Sequence, residues 1–311
     1  MAHITFIQGI ANKPESEVLL RLWRQSLARD EGLDLGAEGV TSSMVYWADV
    51  MYEKPDSEMA EHESNDSVIV RGDRDVDMSW QGELSGDELS WSAGLEDRLG
   101  YAAGPPDGDE NYAPPESGLE SANFERIPLP WWLKRRLMKM LLRDVHHYLF
   151  NTEYSPRDGV SYRVQDEIRD RFVSAIRQGA SKEGPHIVVS HSMGTVIAYD
   201  CLKRVPDCPR VDGLITIGSP LGLDEIQDKL QPEWSRENGF PSKVGADWIN
   251  VYDKLDPVAG FDPKLANDYR KEAQECVEDI NEQNSGTWRH NISKYLGGEQ
   301  LRSALIRQLG F

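Results

Sequence analysis

Ser192 stands where the sequence pattern changes from a predicted strand to a predicted helix. The apolar run at 187–189 is typical of a buried strand, and the apolar periodicity at 196–202 is typical of a helix. A serine in such a turn needs small residues two positions before and after it, because neighbouring backbone passes close by. Ser190 and Gly194 meet this need. We therefore predict that Ser192 is a nucleophile whose hydroxyl is exposed at the end of a sheet.

A serine hydroxyl needs a base to take its proton, and the base needs an acid to orient it. His290 is the only histidine downstream of Ser192, and it lies just before the last predicted helix. In a strand–turn–helix arrangement of this kind the three groups follow in the order serine, acid, histidine. We therefore predict that His290 is the base.

The acid is expected just after the predicted strand at 247–253. We prefer Asp256, because Pro257 ends the strand and the following turn leaves that carboxylate able to reach an imidazole. Asp253 remains open as an alternative, and Asp262 is more remote.

Two backbone amides are candidates to stabilise an oxyanion at Ser192. The predicted helix begins at Met193, so its amide and the positive end of the helix dipole lie beneath the serine. The loop after the first predicted strand contains the run 8–10, and the amide of Ile10 is the second candidate donor.

Strands and helices alternate along most of the chain, which predicts an α/β protein with a mostly parallel sheet covered on both faces. The predicted strands are 3–8, 43–50, 186–189, 211–217 and 247–253. The predicted helices begin at Pro14 and Pro130 and span 161–180, 193–204 and 292–309. At 311 residues, we expect one domain over 1–311 with an insertion.

The net charge of −19 excludes a nucleic-acid-binding protein, which needs a basic surface to neutralise phosphates. The stretch from Glu53 to Glu125 carries 20 acidic and 4 basic residues and shows no sustained hydrophobic period. We interpret 53–127 as an acidic insertion, either a solvated loop or a segment that acts as a lid or binds a protein partner.

Residues 128–151 predict a helix that combines an apolar stripe with basic residues, and we interpret it as a helical cap or lid. The stripe packs inward, roofs a pocket, or contacts a membrane surface transiently through 131–142. His146 and His147 on this helix are adjacent and receive no catalytic or metal-binding role.

The cysteines Cys201, Cys208 and Cys276 lack metal-ligand spacing and are expected to be free thiols. We predict no metal or cofactor. The first residues lack the pattern of a signal peptide, and no run of about 18 apolar residues occurs, so a cytoplasmic location is expected.

Taken together, these motifs resemble those of the α/β-hydrolase superfamily, in particular lipase-like and GPI-inositol-deacylase-like serine esterases. The similarity covers about 1–50 and 160–311 and depends on the segments 8–12, 189–194, 217–221 and 250–259 and on His290. It implies the α/β-hydrolase fold, with Ser192, Asp256 and His290 as the catalytic triad and the amides of Ile10 and Met193 as the oxyanion hole. Gln8 stands where many relatives have histidine, and Ser190 replaces the usual first glycine.

The function predicted from the sequence is hydrolysis of a small-molecule carboxylic ester with an apolar acyl group, through an acyl-enzyme. Thioester hydrolysis or acyl transfer would use the same triad. A non-catalytic interaction protein on a hydrolase scaffold is the alternative from another class.

Overall fold

The computed structural model of the protein describes residues 1–64, 76, 78–98, 108, 131–286 and 288–311. Six strands form one sheet in the order β2-β1-β5-β6-β7-β8, and every neighbouring pair is parallel. A separate antiparallel hairpin consists of β3 and β4. The strands are β1 (His3–Ile7), β2 (Thr41–Val45), β3 (Glu153–Arg157), β4 (Val160–Arg163), β5 (His186–His191), β6 (Val211–Ile217), β7 (Val244–Tyr252) and β8 (Val277–Asn281).

Helices cover both faces of the sheet, which confirms the predicted α/β class. The α-helices are α1 (Ser16–Ala28), α2 (Ala48–Met51), α3 (Met59–Ser64), α4 (Gly86–Arg98), α5 (Trp131–Leu149), α6 (Val164–Ala180), α7 (Met193–Arg204), α8 (Asp224–Gln227), α9 (Ile292–Gly297) and α10 (Glu299–Leu309). The fold is consistent with an α/β-hydrolase-like protein. No helix in the described part of the chain is both long and apolar enough to cross a lipid bilayer.

The buried strands separate two hydrophobic cores because successive side chains point to opposite faces. Ile187 and Val189 of β5 pack with α1, α9 and α10, whereas Val188 packs with α5, α6 and α7. β6 and β7 divide their side chains between the two cores in the same way. This two-sided burial explains why the strands appear in the sequence as nearly continuous apolar runs.

The order of the strands reverses between β1 and β5. The chain leaves β1 toward α1 on one face, and it leaves β5 toward α7 on the other face. The loops that follow these two strands therefore diverge and leave a crevice at the carboxyl ends of the strands, where ligands bind in open parallel sheets. The candidate donor Ile10 and the candidate nucleophile Ser192 follow these two strands.

Several predicted boundaries differ from the structure. The strand predicted at 43–50 ends at Val45, and α2 occupies 48–51. The helix predicted from Ser161 starts at Val164, because the preceding residues pair in the hairpin. The helix predicted at 292–309 is divided into α9 and α10 at Gly298, whose extended backbone interrupts the helical dihedral angles. β8 was not predicted.

Parts of the predicted acidic insertion are folded onto the domain. Glu63 at the end of α3 is buried and accepts bonds from Lys13 Nζ at 2.6 Å and Trp23 Nε1 at 3.1 Å. Trp91 and Leu95 of α4 are buried in the core that contains α5. Much of the remainder of 53–127 lies outside the described residues, so the insertion as a domain-level feature stays a prediction.

The buried carboxylate of Asp200 forms hydrogen bonds with side chains of three helices. Asp200 of α7 has no exposed surface, and it accepts two bonds from Arg169 of α6 at 2.7 and 2.8 Å. Tyr148 of α5 donates its hydroxyl to the same carboxylate at 2.7 Å, and Arg204 donates at 3.0 Å. Replacing this one side chain would leave donors on three elements unpaired.

We therefore expect Asp200→Ala to lower the free energy of unfolding by about 3 kcal/mol, because breaking a buried ion pair leaves its partners uncompensated. The control is Glu278→Ala, whose partner Arg307 is half exposed like Glu278 itself, and which we expect to cost less than about 1 kcal/mol. Chemical denaturation of both variants measures the difference. Equal stability of the two variants would contradict the structural role of Asp200.

Candidate active site

Ser192 forms the turn between β5 and α7 and has unusual backbone dihedral angles, with φ at 53° and ψ at −128°. A non-glycine residue with positive φ is strained and persists only where its surroundings hold it. The amide of Ser192 donates to Ile217 O on β6 at 2.9 Å, and its carbonyl accepts from the amide and the hydroxyl of Thr195. The turn is thus fixed from both sides.

Small residues around Ser192 are required by close backbone approaches. A Cβ atom at Gly194 would lie 2.6 Å from Gln8 O, and one at Gly9 would lie 2.6 Å from Ser192 Cβ. Ser190 is accommodated because its hydroxyl donates to Ile215 O at 3.1 Å. The replacement of glycine by serine in the motif therefore has a direct structural explanation.

The prediction that the Ser192 hydroxyl is exposed is wrong. Ser192 is 1% exposed, and within the described residues its Oγ has no hydrogen-bond partner. Gly9 lies directly against it, so the loop after β1 is one of the parts that cover the serine. In this arrangement Ser192 Oγ makes no hydrogen bond to His290.

Asp256 and His290 lie together, as the sequence analysis expected. His290 Nδ1 is 2.9 Å from both carboxylate oxygens of Asp256. The amides of Val258 and Ala259 also donate to this carboxylate, at 2.7 and 3.1 Å, and Tyr295 OH donates at 2.7 Å. Asp256 is completely buried, and these donors satisfy it.

The ionisation of Asp256 defines the tautomer of His290. Burial acts to raise the pKa of Asp256, but the charge and hydrogen bond of His290 and the hydroxyl of Tyr295 hold this pKa below its ordinary value. An ionised carboxylate only accepts hydrogen bonds, so His290 Nδ1 carries the hydrogen. In neutral His290, Nε2 is therefore the nitrogen that is able to accept a proton.

Asp253, the alternative acid, bonds neighbouring loop residues instead of the His290 imidazole. Its carboxylate accepts bonds from the amides of Leu255 and Asn284, both at 2.7 Å, and from Arg289 Nη1 at 3.3 Å. Burial raises the pKa of Asp253. Asp253 thus holds the loop that precedes His290, and among the described residues the only hydrogen-bond partner of the His290 ring is Asp256.

The end of β6 connects the aspartate–histidine pair to the serine turn. Gly218 follows Ile217, which accepts the bond from Ser192, and a Cβ atom at Gly218 would lie 2.9 Å from Asp256 Oδ2 and 3.1 Å from His290 Nδ1. Gly218 has φ at 54°, which glycine adopts without strain. The end of β6 therefore places the strained serine and the pair beside one another.

His191, next to the serine, contacts the loop that carries His290. Its Nε2 lies 2.9 Å from His290 O, and the two rings are 4.7 Å apart. Burial lowers the pKa of His191 to about 3, so the ring is neutral near pH 7 and its Nε2 donates to the carbonyl. His191 thus contacts the backbone of the predicted base directly, a contact that the sequence pattern did not reveal.

The two predicted oxyanion donors follow β1 and β5, Ile10 in a loop and Met193 at the start of α7. Met193 is the first residue of α7, where an amide has no partner within the helix. Ile10 precedes Ala11, which has φ at 72° and whose amide donates to Asp144 Oδ2 on α5 at 3.1 Å. The loop that contains Ile10 is therefore fastened to α5 as well as packed against Ser192.

Three comparisons place this chain among known proteins only loosely. No protein-family model matches the sequence. Over 95 residues, 29% of this chain, it is 37% identical to the non-reducing polyketide synthase ustP of Ustilaginoidea virens, and the match spans 4% of that synthase. An uncharacterized protein from Pseudomonas aeruginosa is similar in structure with a TM-score of 0.30 and 12% identity, over 91% of this chain and 40% of that chain. The polyketide synthase similarity is compatible with an enzyme and does not specify a reaction.

Proposed function

We propose that this protein is a serine hydrolase that cleaves carboxylic esters through an acyl-enzyme. Ser192 is the nucleophile, His290 the base and Asp256 the acid that orients it. The observation that supports this most is the buried Asp256–His290 pair beside a serine with strained dihedral angles. Besides His290, three other donors surround this completely buried carboxylate, which holds the imidazole in one orientation as a catalytic base requires.

In this proposal His290 Nε2 takes the proton of Ser192 while Oγ attacks the ester carbonyl carbon. The carbonyl oxygen becomes an oxyanion, and the amides of Ile10 and Met193 donate to it. Collapse of the tetrahedral intermediate breaks the bond to the alcohol, which leaves with the proton from His290. Water then attacks the acyl-enzyme and gives a proton to His290. His290 passes this proton to Ser192 Oγ as the bond to the acyl group breaks, which releases the acid and restores the Ser192 hydroxyl.

The burial of Ser192 adds a requirement to this mechanism. Substrate reaches Oγ only after neighbouring chain has moved, because Ser192 is 1% exposed. Catalytic hydrogen bonds are often absent before substrate binds and form in the complex. In this proposal His290 Nε2 and Ser192 Oγ come into contact when substrate binds.

Thioester hydrolysis or acyl transfer is the second candidate, because both use the same three side chains. The sequence similarity to a segment of a polyketide synthase favours this alternative over a non-catalytic scaffold. A set of p-nitrophenyl esters from short to long acyl chains, assayed beside one acyl thioester, separates ester from thioester preference. We expect a preference for an apolar acyl group.

A fluorophosphonate probe tests the nucleophile. We expect slow covalent labelling of the wild type, because the buried serine must first become accessible, and no labelling of Ser192→Ala. Ser190→Ala is the matched control, since Ser190 lies two residues away and bonds only a backbone carbonyl in the structure. Equal labelling of wild type and Ser192→Ala, or none of either, would favour the non-catalytic scaffold.

The acid is tested by comparing Asp256→Asn with Asp253→Asn. We expect Asp256→Asn to lower kcat by roughly three to four orders of magnitude, because an amide no longer holds His290 in the required tautomer. Asp253→Asn should lower kcat by less than about tenfold, because its carboxylate bonds the loop at 284–289 and not the imidazole. Ester hydrolysis by purified variants measures both. The opposite ranking would assign the acid to Asp253.

His191 is tested as a positioning residue for His290. His191→Phe removes the donor to His290 O, and we expect kcat to fall roughly tenfold with KM unchanged, the value of one hydrogen bond. His191→Gln keeps a donor and should restore part of the loss. Assays are run well below the melting temperature of each variant. A lower melting temperature with unchanged kcat in both variants would show that His191 only stabilises the fold.

A further inference from the structure

The loop between β1 and α1 contains the candidate oxyanion donor Ile10 and is fastened on both sides of it. Before Ile10, the carbonyl oxygen of Gln8 accepts a hydrogen bond from Trp47 Nε1 at 3.0 Å. After it, the carbonyl oxygen of Lys13 accepts the amide of Asp56 at 2.9 Å. The conformational freedom that remains in this part of the loop therefore lies between these two bonds.

The backbone at Ala11, next to Ile10, is strained. Its φ of 72° lies in the left-handed region, which a residue with a side chain seldom adopts and keeps only where its surroundings hold it. A return of Ala11 to negative φ would turn the adjoining chain and displace the amide of Ile10. The position of this candidate donor therefore depends on the contacts that hold Ala11.

Asp144 of α5 makes the hydrogen bond that holds Ala11. Its Oδ2 accepts the amide of Ala11 at 3.1 Å and the hydroxyl of Tyr52 at 3.3 Å. Its Oδ1 accepts from Nε and Nη2 of Arg143, at 3.0 and 2.8 Å. Asp144 is 1% exposed, and the guanidinium of Arg143 lies over the Tyr52 ring. Neighbours on α5 and after α2 thus fix the carboxylate that reaches the loop.

The bond from Ala11 to Asp144 is charge-assisted. Burial alone would lower the pKa of Arg143, but the charge of Asp144 holds this pKa above its ordinary value, so the guanidinium stays protonated and compensates the carboxylate. A hydrogen bond to an ionised acceptor is stronger than one between neutral groups. Such a bond is able to offset the strain of one left-handed residue. The side chain of Ile10 also packs against the hydrophobic core that contains α5.

We propose that Asp144 is a positioning residue that keeps the amide of Ile10 where the substrate oxyanion forms, an inference that rests on the proposed function. Asp144 acts through its bond to Ala11 and does not touch the reacting atoms. The oxyanion develops in the transition state and is absent from the bound ester. Loss of this positioning therefore lowers kcat and leaves KM unchanged.

Kinetics of the full-length Asp144→Ala variant with a p-nitrophenyl ester test this role. We expect kcat to fall roughly 10- to 100-fold with KM unchanged. Tyr148→Phe is the matched control, because it removes another buried hydrogen bond of α5, to Asp200, and should change kcat by less than about twofold. Assays are run where circular dichroism shows each variant to be folded. Unchanged kcat in Asp144→Ala, or equal losses in the two variants, would overturn the proposal.

The substitution Ala11→Gly separates positioning of the loop from general stabilisation of α5. Glycine adopts positive φ without strain, so Ala11→Gly added to Asp144→Ala should raise kcat about fivefold or more above that of Asp144→Ala alone. The melting temperature should not recover, because Arg143 and Tyr52 still lack their acceptor. A double variant whose kcat stays at the level of Asp144→Ala would show that Asp144 only stabilises the fold.

Amide hydrogen exchange, measured by NMR, distinguishes failure of this inference from failure of the proposed function. The Ala11 amide should exchange at least about tenfold faster in Asp144→Ala, because its acceptor is lost, and at the wild-type rate in Tyr148→Phe. Hydrolysis by the wild type with unchanged Ala11 exchange in Asp144→Ala would overturn the inference alone. A wild type that neither hydrolyses esters nor is labelled at Ser192 would refute the proposed function and the inference with it.

Discussion

The burial of a single carboxylate determines the arrangement of the candidate active site. Asp256 is taken completely out of water, which is tolerated only if donors surround it. These donors come from the turn at 258–259, from Tyr295 on α9 and from His290 in the preceding loop. Tyr295 in turn accepts from the amide of Asp253 at 3.0 Å, at the end of β7. One buried charge thus brings two segments, 253–259 and 290–295, together at the carboxyl end of the sheet.

Ser192 reaches this place through a different constraint, the parallel register of β5 and β6. Its amide bonds Ile217 O, and the next residue on β6, Gly218, touches the Asp256–His290 pair. At this position the serine has a positive φ, and its buried hydroxyl has no hydrogen-bond partner among the residues that the structure describes. Strain and unsatisfied polar atoms are concentrated at functional sites because the surrounding fold supports them.

Much of this was predictable from the sequence. The strongly apolar strands predicted the parallel sheet, and the small residues around Ser192 predicted the turn. The position of Pro257 selected Asp256 as the partner of His290. β8 was missed because Glu278 and Asp279 are typical of a loop. In the structure Asp279 accepts the amides of Leu265 and Ala266 and the side chain of Asn250, contacts that depend on distant residues. The burial of Ser192 was missed for the same reason, since the loop that covers it follows a strand more than 180 residues earlier.

The acidic stretch shows how composition can mislead when each residue is considered alone. A run with 20 acidic residues suggests a solvated segment, because repulsion and hydration both favour exposure. Glu63 nevertheless lies buried against Lys13 and Trp23, and Glu88 bonds the buried ring of His146. Each of these carboxylates pairs with a group from a helix or loop outside the stretch, so the interaction both compensates the charge and fixes where the stretch attaches. A run of charged residues therefore predicts solvent exposure for the segment as a whole. The groups that pair with individual carboxylates determine which of these carboxylates become buried.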